Sequence, residues 1–398
     1  MMIRADEMLF ELVNYKLFNK AIDPDRVRKF LSEEGISGLY SLAKMHDLSH
    51  LVGAAFDSLG LLSEDDLSKK IRKQYFAAIY RYRGIEHELT CIKAILSENK
   101  IKHIPLKGSV IRALYPEPWM RTSCDIDILV HKKDVERARE LFEGELAYKM
   151  TSECFHDIAF FSPGGVHVEL HFTLIEDFRY PKINEILSCV WEKSEACEGD
   201  FTYAMPRELF YFYHVAHMMK HLFEAGCGIR FFIDLLLIDE GTEFNREELN
   251  SMLSSAELIA YRDRSLELAK IWFRDGEHTD FSRIYEKHIL RGGIYGTNES
   301  KVIVNQKRKG GKFGYAMRRI FLPYRSLCEM FPVIKRHKWL TPVFEVVRWF
   351  RLIFRGKLRS SVNELRENAN VSSDDANQAA MMLDVLGLGT ESVISKKE

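Results

Sequence analysis

The sequence predicts an α+β fold in which a compact α/β unit stands between helical regions. Three observations carry this. Apolar residues recur at helical spacing over residues 1–100. From residue 101 the pattern switches to short apolar runs separated by turn residues, and after about residue 205 helical spacing returns. The expected division is a helical region over 1–100, an α/β core over 101–200 and a helical region over 201–365 that contains a basic, aromatic segment. A polar tail over 366–398 is expected to be partly disordered.

Within the first region, IDPDRVRKFLSEEG opens a helix at Asp23-Pro24 and closes it on Gly35. The run from Ser63 to Asn99 continues in helical period, and Ser63 with Asp66 has the spacing of a capping box. In the core, IKHIPL reads as a strand, KGS as a turn and VIRALYP as a short helix stopped by Pro116. DIDILV is a strand and KKDVERARELFEGEL a helix. AYKM, HDIAFFS and VHVELHF are strands, the last two joined by the tight turn PGG. The order is β-α-β-α-β-β-β. Downstream, RELFYFYHVAHMMKHLFEAG and IRFFIDLLLIDEG are helices, and the Gly- and Lys-rich stretch over 292–314 reads as a mobile loop.

A 46% hydrophobic and 29% charged composition is that of an ordinary globular protein. A formal net charge of -1 argues against indiscriminate nucleic-acid binding, but the charge is uneven. Residues 301–359 carry 16 Lys and Arg against two acids, Glu329 and Glu345, which points to a surface that meets an anion. The seven cysteines are scattered without a C-x-x-C pair, the pattern of free thiols in a reducing compartment. The first twenty residues carry acids and no continuous apolar run, so no signal peptide is expected. No transmembrane segment is expected either, and the chain reads as cytoplasmic.

The informative residues are charges inside strands. In DIDILV, Asp125 and Asp127 project from one face while Ile126, Ile128 and Val130 project from the other. Two carboxylates at i and i+2 repel unless a cation lies between or above them. VHVELHF follows the same logic, with Val168 and Leu170 on one face and His167, Glu169 and His171 on the other. If the two strands are neighbours, Glu169 completes a carboxylate triad, and three hard oxygen ligands suit Mg²⁺ or Mn²⁺. The turn Leu106-Lys107-Gly108-Ser109 leads from a strand into a helix and offers an anion site. A phosphate cradle beside a metal-binding carboxylate set is what phosphoryl or nucleotidyl transfer requires.

This progression resembles the DNA polymerase β-type nucleotidyltransferase superfamily. More closely, IPLKGSVIRALYPEPWMRTSCDIDILVHKKDVERARELFEGELAY with VHVELHF resembles a mostly uncharacterised bacterial nucleotidyltransferase family, and the likeness extends over residues 40–355. The resemblance implies a minimal nucleotidyltransferase α/β core with a mixed sheet, flanked by helical regions. It implies that Gly108 and Ser109 hold the triphosphate, that Asp125 and Asp127 bind the metal, and that Glu169 is the third carboxylate. Lys107 and Arg121 are further phosphate-binding candidates. The expected reaction is Mg²⁺- or Mn²⁺-dependent transfer of a nucleoside monophosphate from a nucleoside triphosphate such as ATP to an acceptor hydroxyl, with release of pyrophosphate. A small molecule or sugar is the favoured acceptor. A protein- or tRNA-modifying enzyme and a non-catalytic nucleotide-binding or bridging module are the alternatives.

Other clusters have plainer readings. His167, Glu169 and His171 have the form of a zinc site, with hydrogen bonding to the groups around the site, or packing, as the competing expectation. His214, His217 and His221 share a helix face and read as a polar seam, and Arg230 with Asp234 reads as an ion pair one turn apart. The basic, aromatic stretch over 307–359 would meet RNA or an anionic surface, or simply form a solvated helical face.

Overall fold

A computed structural model describes residues 3–154, 156–175, 180–224, 226–241, 243–294, 296–354 and 358–389. Contacts divide the chain into two compact units. The first comprises Met1–His217, Ile229–Ala256 and Ser265–Glu277, the second Met218–Gly228, Glu257–Arg264 and His278–Glu398.

The first unit is built on a seven-stranded sheet. Its strands are β1 (His103–Pro105), β2 (Asp125–Val130), β3 (Lys149–Glu153), β4 (Asp157–Phe161), β5 (His167–His171), β6 (Glu195–Glu198) and β7 (Thr202–Ala204). Their spatial order is β3-β4-β5-β2-β1-β7-β6. β2 pairs parallel with β5 and β1 parallel with β7, while the other pairs are antiparallel, so the sheet is mixed. The first five strands follow the expected order. β6 and β7 form a hairpin that extends the sheet beyond β1.

The apolar sheet face is covered by two helices. Ile126, Ile128, Val130, Val168 and Leu170 pack with Ile85, Ile92, Ile95 and Leu96 of the long Asp66–Glu98 helix, and with Val135, Ala138 and Phe142 of the Val135–Gly144 helix. Burial of so many branched side chains fixes the strand register, because a slip of one residue would turn the acids into this core. The long helix is capped by Asp65, whose carboxylate accepts from the amides of Leu67 and Ser68 at 2.9 Å each. Ser63, the expected cap, instead donates its hydroxyl to Asp65, because a carboxylate is the better acceptor at a helix N-terminus. Asp23 caps the Pro24–Glu33 helix as expected. Gly53 in the Ser49–Ser58 helix has a packing role: a Cβ there would lie 3.0 Å from both the Ile71 carbonyl oxygen and the Tyr75 Cβ.

The second unit is helical. One expectation gives way here. The stretch read as a mobile loop contains the Asn298–Gln306 helix, started by Thr297, whose hydroxyl accepts from the Ser300 amide at 3.0 Å. Position 295 of that stretch lies outside the described residues. The polar tail contains the end of the Leu358–Asn370 helix and the Ser373–Val385 helix. Ser372 caps the latter, and Ala376 and Ala379 pack with Val302, Ile303 and Tyr315. A few small apolar residues at helical spacing suffice when a neighbouring helix covers them. Residues 390–398 lie outside the described ones. None of the seven cysteines is joined in a disulfide. Among the described residues no helix is long and apolar enough to cross a membrane.

Candidate active site on the acidic sheet face

The parallel pairing of β2 with β5 sets Asp125 opposite His167 and Asp127 opposite Glu169. β4 continues the face, with Ala159 opposite Glu169 and Asp157 opposite His171. The polar face therefore assembles from alternation alone once the apolar face is buried. Donor atoms of Asp127, Glu169 and His171 all lie within 4.8 Å of one another, the one such group of three or more among the described residues. Asp125 and His167 stand outside it, two residues nearer the start of their strands. The structure thus joins two of the three expected carboxylates and adds His171. The zinc reading through His167, Glu169 and His171 loses His167 from the group.

Asp127 is nearly fully buried and has two hydrogen-bond donors against it, one of them the ammonium of Lys107. Lys107 Nζ lies 2.7 Å from Asp127 Oδ1, and His171 Nε2 donates to the same oxygen at 2.8 Å. His171 Nε2 is also 3.2 Å from Glu169 Oε2. Burial would raise the Asp127 carboxyl, but Lys107 and His171 outweigh it and hold it well below the usual range. Burial would lower His171 and Lys107, yet the carboxylates around them raise both. Asp125 is pushed up, by burial first and by the charge of Asp127 second.

Lys107 reaches Asp127 because the β1–β2 pairing continues into the turn, where the Leu106 amide donates to the Asp127 carbonyl at 3.0 Å. Its backbone pays a conformational penalty. Lys107 has φ 44° and ψ -116°, a region where glycine is at ease and a lysine costs about 1–3 kcal/mol. Gly108 follows with no room for a side chain, since a Cβ would lie 2.6 Å from Arg121 Nη1. The Ser109 amide is used within the turn, donating to the Leu106 carbonyl at 3.0 Å. Its hydroxyl is buried and has no hydrogen-bond partner among the described residues. The Ser109 amide is therefore engaged within the turn, while its hydroxyl is left to offer.

Arg121 is committed elsewhere. Its Nε and Nη2 grip Asp234 at 2.9 and 2.8 Å, and Tyr115 donates to the same carboxylate at 2.7 Å. Only its Nη1 faces the Gly108 turn. Asp234 does not pair with Arg230, because the Arg121 fork meets it in bidentate geometry. Arg230 bonds instead to Asp47 at 3.1 Å and to the Thr122 carbonyl at 2.7 Å. The Ile229–Gly241 helix thereby clamps the segment that leads into β2. Arg112 adds a second buried guanidinium, bonded to the Gly108 carbonyl at 3.1 Å and to Ser123. Burial, with Arg121 next, pushes it down to about 10.

Two residues of the site escaped the sequence reading in their present roles. His171 was visible on the right face, but its contact with Asp127 required the strand pairing. Tyr213, on the Arg207–Glu224 helix, had no sequence signal. It is buried, and its hydroxyl has no partner among the described residues. Burial first, and then the carboxylates Asp127, Glu169 and Asp125, raise its phenol against the opposing charge of Lys107. His214, on the same helix, bonds to the Phe231 carbonyl at 3.3 Å and is lowered by burial, in keeping with a polar seam.

A sequence model described as an uncharacterised nucleotidyltransferase family matches residues 32–274. The chain belongs to that family. The matched span includes the sheet, the Lys107–Ser109 turn, Tyr213 and the Asp234 clamp, so every group described above lies within it. Residues 275–355, where the likeness was expected to continue, fall wholly beyond it. Comparisons with curated proteins and with solved structures returned no significant match.

Proposed function

We propose that the chain catalyses transfer of a nucleoside monophosphate from a nucleoside triphosphate to an acceptor hydroxyl, as a member of the DNA polymerase β-type superfamily. The observation that carries this is the convergence of Asp127, Glu169 and His171 from adjacent parallel strands, with Lys107 on Asp127. These donors fit a divalent cation. Two carboxylates and an imidazole are a borderline set that accepts Mn²⁺ at least as readily as Mg²⁺. Asp127, Glu169 and His171 would hold the cation, with Asp125 at the edge. Bound there, Mg²⁺ or Mn²⁺ would neutralise triphosphate charge and ease the departure of pyrophosphate.

The chain's own groups divide the remaining work. Glu169, half-buried, takes the proton of the acceptor hydroxyl as its oxygen bonds to the α-phosphorus. The bond from that phosphorus to the bridging oxygen breaks, and pyrophosphate leaves. Lys107 exchanges its contact with Asp127 for a phosphate oxygen, and the hydroxyls of Ser109 and Tyr213 donate to the same polyanion. Gly108 allows the turn its close approach. Arg121 acts as a positioning residue through Asp234. A small molecule or sugar is the proposed acceptor.

The test is incubation with each α-labelled nucleoside triphosphate, Mg²⁺ or Mn²⁺, and sugar, tRNA and protein acceptors. Label should pass to an acceptor with wild-type protein. A D125A/D127A double variant that transfers label equally well overturns the proposal. Nucleotide binding that is metal-independent and unaccompanied by turnover would favour a non-catalytic module instead.

A further inference from the structure

The Thr341–Phe354 helix, in the second unit, is amphipathic in the reverse of the usual sense. The buried side chains on it are Glu345 and Arg348. Arg348 Nε donates to Glu345 Oε2 at 2.8 Å, and Glu345 Oε1 accepts from the Leu322 amide at 2.7 Å. Arg348 and Trp349 both donate to the Ile320 carbonyl, the indole at 3.2 Å. The helix is therefore fastened to the fold by this charged pair, together with Phe344, whose ring lies 4.8 Å from that of Phe331.

Its other side is apolar and faces solvent. Val343, Val346, Val347, Phe350, Ile353 and Phe354 are all exposed, Phe350 to 56% and Phe354 to 83%. At 3.6 residues per turn these six fall within a sector of about 120°. Trp339, on the turn just before the helix, is 75% exposed. Scattered apolar residues at a surface need no explanation, but a continuous stripe ending in aromatic rings does.

The surrounding charge identifies the occupant. Lys335, Arg336, Lys338 and Arg351 are exposed on and beside the helix. Glu345 is turned inward onto Arg348. The sequence over 301–359 holds 16 basic residues and only two acids. A second copy of this surface would set cations against cations. A nucleic acid would satisfy the cations but leave valine, isoleucine and phenylalanine in water. A bilayer with anionic headgroups satisfies both, since its acyl boundary takes the stripe and its phosphates take the lysines and arginines.

We propose that the Thr341–Phe354 helix lies on the surface of a membrane containing anionic phospholipid, with its exposed stripe inserted at the acyl boundary and Trp339 at headgroup level. None of these residues belongs to the acidic sheet face, so the inference stands or falls separately from the catalytic one.

The experiment uses the full chain and vesicles of phosphatidylcholine with or without phosphatidylglycerol. Expected are co-sedimentation with the anionic vesicles, weakening with added salt, and a blue shift of tryptophan emission that Trp339→Phe removes. A Phe350→Glu/Ile353→Glu variant, verified as folded by circular dichroism, should lose binding by about tenfold or more. If that variant does not fold, Val346→Ser with Trp339→Ala should show a smaller loss in the same direction. Failure to sediment with anionic vesicles overturns the proposal, as does binding that survives these substitutions. Self-association abolished by the same substitutions, or RNA retention without vesicle binding, overturns it in favour of those partners.

Discussion

The acidic sheet face of the first unit and the Thr341–Phe354 helix of the second both depart from the rule that apolar groups go inside and charges outside. They do so in opposite ways. On the sheet, Asp127 is buried with Lys107 and His171 against it, beside Glu169 and the hydroxyls of Ser109 and Tyr213, which have no partner among the described residues. On the helix, Glu345 and Arg348 are buried as a closed pair, and the departure lies in the apolar side chains left in water. The lesson is that buried charge alone does not mark a site. Glu345 and Arg348 satisfy each other and the backbone. The sheet face holds more carboxylates than its internal cations settle, with unspent hydroxyls around them.

That contrast is sharpest in activity. Asp127→Ala should lower transfer by on the order of 10³-fold, while Phe350→Glu should leave turnover on a soluble acceptor unchanged. Steady-state assays on the two variants measure this, and equal losses would erase the distinction. In stability the two regions should converge. Asp234→Ala on one side and Glu345→Ala on the other each strand a buried arginine, and each should cost about 3–5 kcal/mol in urea unfolding. A Glu345→Ala variant as stable as wild type would mean that the helix is not held by its polar side.

Tyr213→Phe separates use from structure. Removing a buried hydroxyl that has no partner should not lower the melting temperature. If the hydroxyl serves the nucleotide, kcat should nevertheless fall about tenfold; unchanged kcat would demote Tyr213 to packing. The smallest difference concerns the turn. Lys107→Gly and Lys107→Ala both lose the charge on Asp127, but glycine relieves the positive φ. Lys107→Gly should therefore unfold about 1 kcal/mol later than Lys107→Ala. A reversed order would place the strain elsewhere.

Much of the first unit was legible because its signals are periodic. Alternation in DIDILV and VHVELHF fixed which side chains share a face, and the strand pairing then brought Asp127 to Glu169. The β6–β7 hairpin was not legible. β6 reads Glu-Ala-Cys-Glu, short and exposed throughout, and is a strand only because β7 pairs with it. His171 and Tyr213 failed for a different reason. Their roles depend on contacts between elements distant in sequence, on which local pattern has no purchase. Arg121 illustrates the converse. Its place near the site was visible, but its engagement by Asp234, more than a hundred residues later, was not. In the second unit the basic, aromatic composition was plain from the sequence, whereas the inversion of the Thr341–Phe354 helix was not. Period alone cannot say which stripe faces the protein.

The ammonium of Lys107 on Asp127 gives the resting fold a counter-ion of its own. A carboxylate face so provided for need not wait for a dissolved ion before the chain can fold. Under the proposed function, the Lys107–Asp127 contact is the element that an arriving nucleotide and its accompanying cation would together displace. Divalent ion concentration would accordingly govern how fast this protein works far more than whether it holds its shape.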